Sequence, residues 1–551
     1  MNELTTTDEF LKLDFNERSD KESLVAMEFQ LGNSLWRYPE RQVLESKIAE
    51  KNGLSAEQVL CTNGGDEAIY ILMRMLSESG RMILPLPAFS QYNWGIQSWS
   101  LSATTIAAND DLSIDIVGTL KAIKNHAGAT VIITRPNNPT GEFILEQDLR
   151  KIIEAAASVD SWVFLDEAYI EFSEVQPISG RLLEQYPNLV ILRTLSKAYG
   201  LAGIRLGYLL GSNALIERFR IRCMPFNISR PSLLIAEKAI LNNNQQEVDN
   251  YCRKIIENRN QLSDWLVSIG VKLLPSQANF LLLQLDDDLV KAVRSFLEKN
   301  KILVKIFEES ELRHCLRIGI PYDMSHLLAV VQQALQPKLI CMDMDGVLID
   351  TSGSYDQAVM QTVLEISNQE VSLAQIETLR REGGYNNDWV LSQKLLENIG
   401  IEVDLDKVTE VFQAIYLGEN NDGLVSNETV FVEKSLIDKI EKSIQQKFAI
   451  VTGRPRIEAQ AGRKLVELES LDLVSLDDVA NAKPSPEGIG KLQQQYSKSS
   501  WMCGDNPDDM QAAVASNSMA IGIGLKNSEA LYQAGADIVI NSINDIKDWI
   551  A

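Results

Sequence analysis

Histidine is nearly absent from this chain, with three among 551 residues. A histidine-built metal centre is therefore not expected. The six cysteines, at 61, 223, 252, 315, 341 and 503, contain no C-x-x-C pair. That argues against a thiolate zinc site and a disulfide framework, and for reduced thiols in a cytoplasmic protein. Basic residues are outnumbered, 52 Lys and Arg against 76 Asp and Glu, giving a net charge of −24. Such a surface repels nucleic acid and anionic membranes, so neither is expected as a partner. No apolar run approaches the roughly 20 residues of a membrane span. The opening stretch "MNELTTTDEFLKLDFNERSD" has no basic start followed by an apolar core, so no secretion signal is expected. Internal repeats and low-complexity runs are missing as well.

What is present is ordinary for a folded protein, 45% hydrophobic and 23% charged residues. The length exceeds what one core sustains, so at least two domains are expected. Short apolar runs such as "RMILPLP", "ATVIITRP", "SWVFLDEA" and "LVILRTLS" alternate with segments of helical period. This predicts α/β architecture with parallel sheets covered on both faces. A long helical stretch over 229–270 leads to a smaller block of "VKLLPSQANFLLLQL", "KILVKIF" and "HCLRIGI". Pro337 follows the helical "MSHLLAVVQQALQ", and the strand–helix pattern restarts at "KLICMDMDGV". The expected division is 1–336 and 337–551. Within the second part, about 354–445 is helical in period before strand signals return, which suggests an inserted cap.

Polar residues cluster at the ends of the predicted strands in the first part. "RTLSKAYGLAGIRLGY" carries Thr194, Ser196, Lys197 and Arg205. "FLDEAY" carries Asp166 and Tyr169, and "TRPNNPTG" carries Asn138. Carboxyl ends of parallel strands converge on one crevice. Pyridoxal phosphate chemistry needs this set. A lysine carries the cofactor and shuttles protons, and a carboxylate keeps the pyridine nitrogen protonated. Hydroxyls, an arginine and helix N-terminal amides hold the phosphate. "TNGGDEAIYILM" offers Gly65 and Asp66 at such a helix start, and Phe89 of "PLPAFSQY" is the candidate to cover the ring.

Residues from about 10 to 335 resemble fold-type I, class I/II aminotransferases, and among them the histidinol-phosphate aminotransferases. The resemblance rests on "RYPE", "NGGDEAI", "RPNNPTGE", "DEAYIEF", "LRTLSKAYGLAGIRLGY" and "CLRIGI". It implies Lys197 as the cofactor-bearing lysine and Asp166 as the pyridinium partner. It places Asn138 and Tyr169 at the phenolic oxygen and Thr194, Ser196 and Arg205 at the phosphate. It also implies a homodimer in which Tyr38 of "RYPE" reaches the other subunit's phosphate site. Arg317 would bind the substrate's anionic group, with Asn16 of "DFNE" and Asn279 of "SQANF" nearby. The sequence departs from the family in its missing Pro-Tyr N-terminal arm, in Lys305 where an arginine is usual, and in Phe89 where the stacking residue is usually tyrosine.

The second part opens with "MDMDGVLID", which sets Asp343 and Asp345 at a strand end. Thr452 in "IVTGRP", Lys483 in "NAKPSPEG", and Asp505 and Asp509 in "MCGDNPDDM" follow in order. Phosphoester hydrolysis through a covalent intermediate needs one carboxylate to attack phosphorus and a second to protonate the leaving oxygen. Other carboxylates hold Mg²⁺, and a lysine and a hydroxyl offset phosphoryl charge. Residues 337–551 resemble the haloacid dehalogenase superfamily, with a cap like that of its phosphoglycolate-phosphatase-like branch. The resemblance implies Asp343 as nucleophile, Asp345 as acid/base, and Thr452 and Lys483 as phosphate ligands. Asp343, Asp345, Asp505 and Asp509 would lie at the metal. Asp345 points to a phosphatase or phosphomutase rather than a dehalogenase.

The expected function is a bifunctional enzyme, an aminotransferase fused to a Mg²⁺-dependent phosphatase, acting on small molecules that include a phosphorylated keto or amino compound. Two alternatives stay open. The first part could decarboxylate a phosphorylated amino acid, and the second could serve as a sensor or phosphomutase.

Overall fold

The structure is a computed structural model that describes residues 10–20, 35–175, 179–240, 242–382, 385, 387–418 and 422–550. The first nine residues of the stretch examined for a secretion signal lie outside these. Chain contacts divide the protein into two compact units, Met1–Leu285 with Lys301–His326, and Asp286–Asn300 with Leu327–Ala551. Among the described residues no helix is long and apolar enough to cross a membrane.

The first unit is built on a seven-stranded sheet. Its order is Val59–Thr62, Gly207–Gly211, Leu189–Thr194, Trp162–Asp166, Thr130–Thr134, Arg81–Pro85 and Ser102–Ile106. Gly207–Gly211 runs antiparallel to both neighbours, and the remaining pairs are parallel. The four strands from Gly207–Gly211 to Thr130–Thr134 are buried at every residue, because helices cover both faces. That is why they read in sequence as unbroken apolar runs. A smaller antiparallel sheet follows, ordered Lys305–Ile306, Cys315–Gly319, Phe280–Gln284, Lys272–Leu273. The run "KILVKIF" is not one strand. Ile302–Leu303 pairs with Leu11–Lys12, and Lys305–Ile306 pairs with Cys315–Gly319, so the chain changes sheets at Val304. The helical stretch expected over 229–270 is two helices, Arg230–Ala239 and Asn242–Ser268.

The second unit holds a six-stranded, wholly parallel sheet. Its order is Asp472–Val474, Lys447–Val451, Leu339–Met342, Ser500–Gly504, Met519–Ile523, Ile538–Ile540. Four helices, Tyr355–Ser367, Leu373–Glu382, Asp388–Asn398 and Leu405–Leu417, are inserted after the first strand. They enclose their own core around Val359, Ile376, Leu391 and Phe412. A two-stranded antiparallel ribbon, Ile349–Asp350 with Thr429–Val430, marks where the chain leaves and re-enters. The helix Lys434–Lys442 lies beyond that ribbon. The helical block is therefore a cap carried on two crossings, and both crossings pass beside the end of the Leu339–Met342 strand.

Candidate active sites

In the first unit, a cavity of about 380 Å³ opens at the ends of the central strands and is walled by Asp166, Thr194, Ser196, Lys197, Arg205 and Arg317, with Phe89 and Gly65. Thr194 ends its strand, and its hydroxyl donates to the Ser196 hydroxyl at 2.9 Å. Arg205 adopts a left-handed φ of 52°, which turns its guanidinium to Asp66 at 2.5 Å. Gly64 opens the facing helix with φ +72°, and a Cβ there would stand 2.7 Å from the Arg205 Nη2. Only glycine leaves that approach open. The Lys197 amine projects into the cavity, donates to the Phe15 carbonyl at 2.7 Å and lies 5.6 Å from the centre of the Tyr169 ring.

Among the described residues, two buried charges in this cavity have no counter-charge within hydrogen-bond reach. The Asp166 carboxylate accepts from the Tyr92 hydroxyl at 2.8 Å and the Ala168 amide at 3.1 Å, both neutral donors. Burial pushes its pKa up to about 6, against the pull of those two hydrogen bonds. Arg317 donates to Asn138 Oδ1 at 2.6 Å and to the Asp14 carbonyl at 2.5 Å, and its Nε has no hydrogen-bond partner among the described residues. A pyridinium nitrogen at Asp166 and an anion at Arg317 would supply the missing charges, so the cavity fits pyridoxal phosphate with an anionic substrate. Asn138 and Asn16 both donate to the Tyr169 hydroxyl, at 3.4 and 3.2 Å. Asn279 donates to the Asn16 carbonyl at 3.1 Å. Lys305 pairs in register with Arg317 on the neighbouring strand.

Tyr38 is the exception among the cofactor candidates. It stands outside the cavity, 75% exposed, with its ring stacked on Phe226 at 4.3 Å. Tyr92 is the residue that sequence reasoning missed. Its only signal was a position one helical turn after Phe89, which does not reveal that it reaches Asp166.

In the second unit, Asp343, Asp505 and Asp509 place carboxylate oxygens within 4.8 Å of one another. Lys483 lies 2.8 Å from Asp343 and 2.5 Å from Asp509, and also donates to the Val451 carbonyl at 3.1 Å. One ammonium thus faces three carboxylates. Burial pushes Asp505 well above its ordinary pKa, and the charges of Asp343 and Asp509 add to it. Asp343 is raised in the same way by burial, although Lys483 opposes the shift. The buried Oδ1 atoms of Asp343 and Asp509 both lie against that one ammonium. An all-oxygen donor set with surplus negative charge fits Mg²⁺. Asp509 also accepts from the Asn506 amide as part of the cap that starts the helix Pro507–Ala515. Thr452 accepts from the Arg454 amide at 3.2 Å and shares a 150 Å³ cavity with Lys483.

Asp345, the fourth residue expected at the metal, does not place its carboxylate in the three-carboxylate group. Asp345 Oδ1 instead accepts from Arg454 Nε and Nη2, at 2.8 and 2.6 Å. Arg454 is buried and also donates to Glu428 at 2.9 and 3.2 Å, while its guanidinium lies 4.9 Å from the centre of the Tyr355 ring. It ties the first acidic loop to both crossings of the cap. The "TGRP" motif contained it, but nothing in the spacing paired it with Asp345.

Comparison with known proteins finds two families along the chain. The profile of the family "Aminotransferase class I and II" matches residues 10–332, and that of "Haloacid dehalogenase-like hydrolase" matches 340–523. The histidinol-phosphate aminotransferase of Corynebacterium diphtheriae is 30% identical over 325 residues, which is 57% of this chain and 87% of that protein. Among solved structures, histidinol-phosphate aminotransferase from Sinorhizobium meliloti in complex with pyridoxal-5'-phosphate aligns at a TM-score of 0.52 and 24% identity, over 59% of this chain and 90% of that one. L-threonine-O-3-phosphate decarboxylase from Porphyromonas gingivalis aligns at 0.50 and 21% identity, over 59% and 98%. At those identities the two structures establish a shared fold. The chain belongs to the class I and II aminotransferases, pyridoxal-phosphate enzymes of fold type I, and carries a haloacid dehalogenase-like hydrolase domain after that part.

Proposed function

We propose that this chain is a bifunctional enzyme. Residues 1–336 would transaminate a phosphorylated keto or amino compound, and residues 337–551 would hydrolyse a phosphate monoester with Mg²⁺. The observation that carries the reading is the uncompensated buried charge at both sites. Asp166 and Arg317 await a ring cation and a substrate anion, and three aspartates surround one lysine.

In the first site, bound pyridoxal phosphate supplies an electron sink for the carbon beside the amine. Lys197 is the base whose Nζ takes the proton from that carbon and returns it. Asp166 would hold positive charge at the ring nitrogen, and Tyr92 fixes that carboxylate. Thr194, Ser196, Arg205 and the amides at Gly65 and Asp66 surround the phosphate end, and Phe89 packs on the ring. Asn138 and Tyr169 take the phenolic oxygen. Arg317, with Asn16 and Asn279 beside it, orients the substrate anion. Tyr38 and Phe226 stand exposed together with Leu35, Trp36 and Met224. An apolar surface of that kind suits a second copy, so we infer a homodimer in which Tyr38 completes the partner's phosphate site.

In the second site, Mg²⁺ held by Asp343, Asp505 and Asp509 offsets repulsion between carboxylate and phosphate. An Asp343 oxygen bonds to phosphorus as the ester oxygen leaves, and Asp345 gives that oxygen its proton. Asp345 then takes a proton from the water that cleaves the phospho-aspartate. Thr452 and Lys483 hold the phosphoryl oxygens. Histidinol phosphate is the leading substrate candidate by relatedness, with a smaller phosphorylated amino alcohol next. Chelating divalent cations should reduce phosphate release from p-nitrophenyl phosphate by at least roughly a hundredfold, and added Mg²⁺ should restore it. Phosphate release that persists in chelator would refute the metal-dependent reading.

A further inference from the structure

The leaving-group side of the phosphatase site contains a second chamber of about 30 Å³. Asp345, Tyr355, Asp388, Trp389, Arg454 and Glu458 form its walls, and it shares Asn387, Gly453 and Leu476 with the 150 Å³ cavity at Thr452 and Lys483. A monoester held there, with its ester oxygen at Asp345, projects its remaining atoms into this chamber. The space suits one group of about the size of a water or an ammonium.

The charges around the chamber are unequal. Arg454 is shared between Asp345 and Glu428, and Arg380 between Asp356 and Asp388. Glu458 is the fifth carboxylate, and it accepts from the Tyr355 hydroxyl and from Gln413, both neutral. Two guanidiniums thus serve five carboxylates. Burial raises the pKa of Glu458, Asp388 and Asp356 alike, with Arg454 opposing the shift at Glu458 and Arg380 opposing it at the other two. The Tyr355 face is already taken by Arg454. The Trp389 ring forms another wall and, among the described residues, has no cation over it.

Resting on the phosphatase reading above, we infer that this chamber binds the ammonium group of a small amino-alcohol phosphate, with Glu458 as the specificity-determining carboxylate and Asp388 and Trp389 beside it. A carboxylate-bearing ester meets repulsion there, and a neutral one brings Glu458 no charged hydrogen-bond donor.

The test uses the full chain with Mg²⁺ and three esters of similar size: 2-aminoethyl phosphate, 2-hydroxyethyl phosphate and phosphoglycolate. The expected order of kcat/KM is cationic, neutral, anionic, with the first step at least about tenfold, the scale of one charge-assisted hydrogen bond. Glu458→Gln should shrink the cationic-to-neutral ratio by about tenfold. A second readout needs no turnover. In metal-free Asp343→Asn protein, calorimetry should show 2-aminoethyl phosphate binding more tightly than 2-hydroxyethyl phosphate, by a similar factor. A flat or reversed order, or a ratio unchanged in Glu458→Gln, overturns the inference while leaving the phosphatase intact. Failure to hydrolyse any of the three esters and p-nitrophenyl phosphate overturns the phosphatase reading and this inference together.

Discussion

Replacing Lys197 with alanine is expected to lower transamination by roughly four orders of magnitude, the scale of losing a positioned base together with the covalent anchor. The side chain is half-buried, and among the described residues its one hydrogen bond is to the Phe15 carbonyl. The fold should therefore tolerate the change within about 1 kcal/mol. Lys197→Arg should fail equally, because a guanidinium stays protonated and offers no free amine. Borohydride treatment of the wild-type protein should fix the cofactor on the peptide containing Lys197, and the alanine variant should show no such adduct. Labelling of a different lysine in the wild type would remove the assignment.

Asp343→Asn is expected to lower phosphate-ester hydrolysis by at least roughly 10⁴-fold, because the amide oxygen cannot form the phospho-enzyme bond. Transamination should stay within about twofold of wild type, since Asp343 and Lys197 belong to separate compact units. The substitution also leaves Lys483 paired with Asp509 at 2.5 Å, so no ammonium is stranded in the interior. Loss of both activities in a folded variant would show the two sites to be coupled.

The sequence made the strand ends legible and the cross-chain partnerships illegible. Leu189–Thr194, Trp162–Asp166 and Leu339–Met342 are buried on both faces, so each reads as an apolar run that stops at its chemistry. Lys197, Asp166 and Asp343 were found that way. The break of "KILVKIF" at Val304 was hidden, because a two-residue pairing with the N-terminal segment has no periodicity to detect. The Tyr92–Asp166 and Arg454–Asp345 pairs join residues 74 and 109 positions apart. Either aspartate could have found another donor, and only the packed fold makes the choice. The cap was legible as an inserted helical block, but the ribbon of Ile349–Asp350 with Thr429–Val430 that bounds it was not, because short strands between helical segments resemble loops.

We propose, from the joining of the two domains in one chain, that one phosphorylated compound visits both sites. It is tested most directly by supplying a phosphorylated keto precursor, an amino donor and Mg²⁺ to the wild-type chain and to Asp343→Asn, and following amine and phosphate together. The wild type should yield free amine plus inorganic phosphate, whereas Asp343→Asn should stop at the phosphorylated amine. If the variant accumulates no phosphorylated amine from any such precursor while unphosphorylated substrates are readily transaminated, the two sites serve separate reactions.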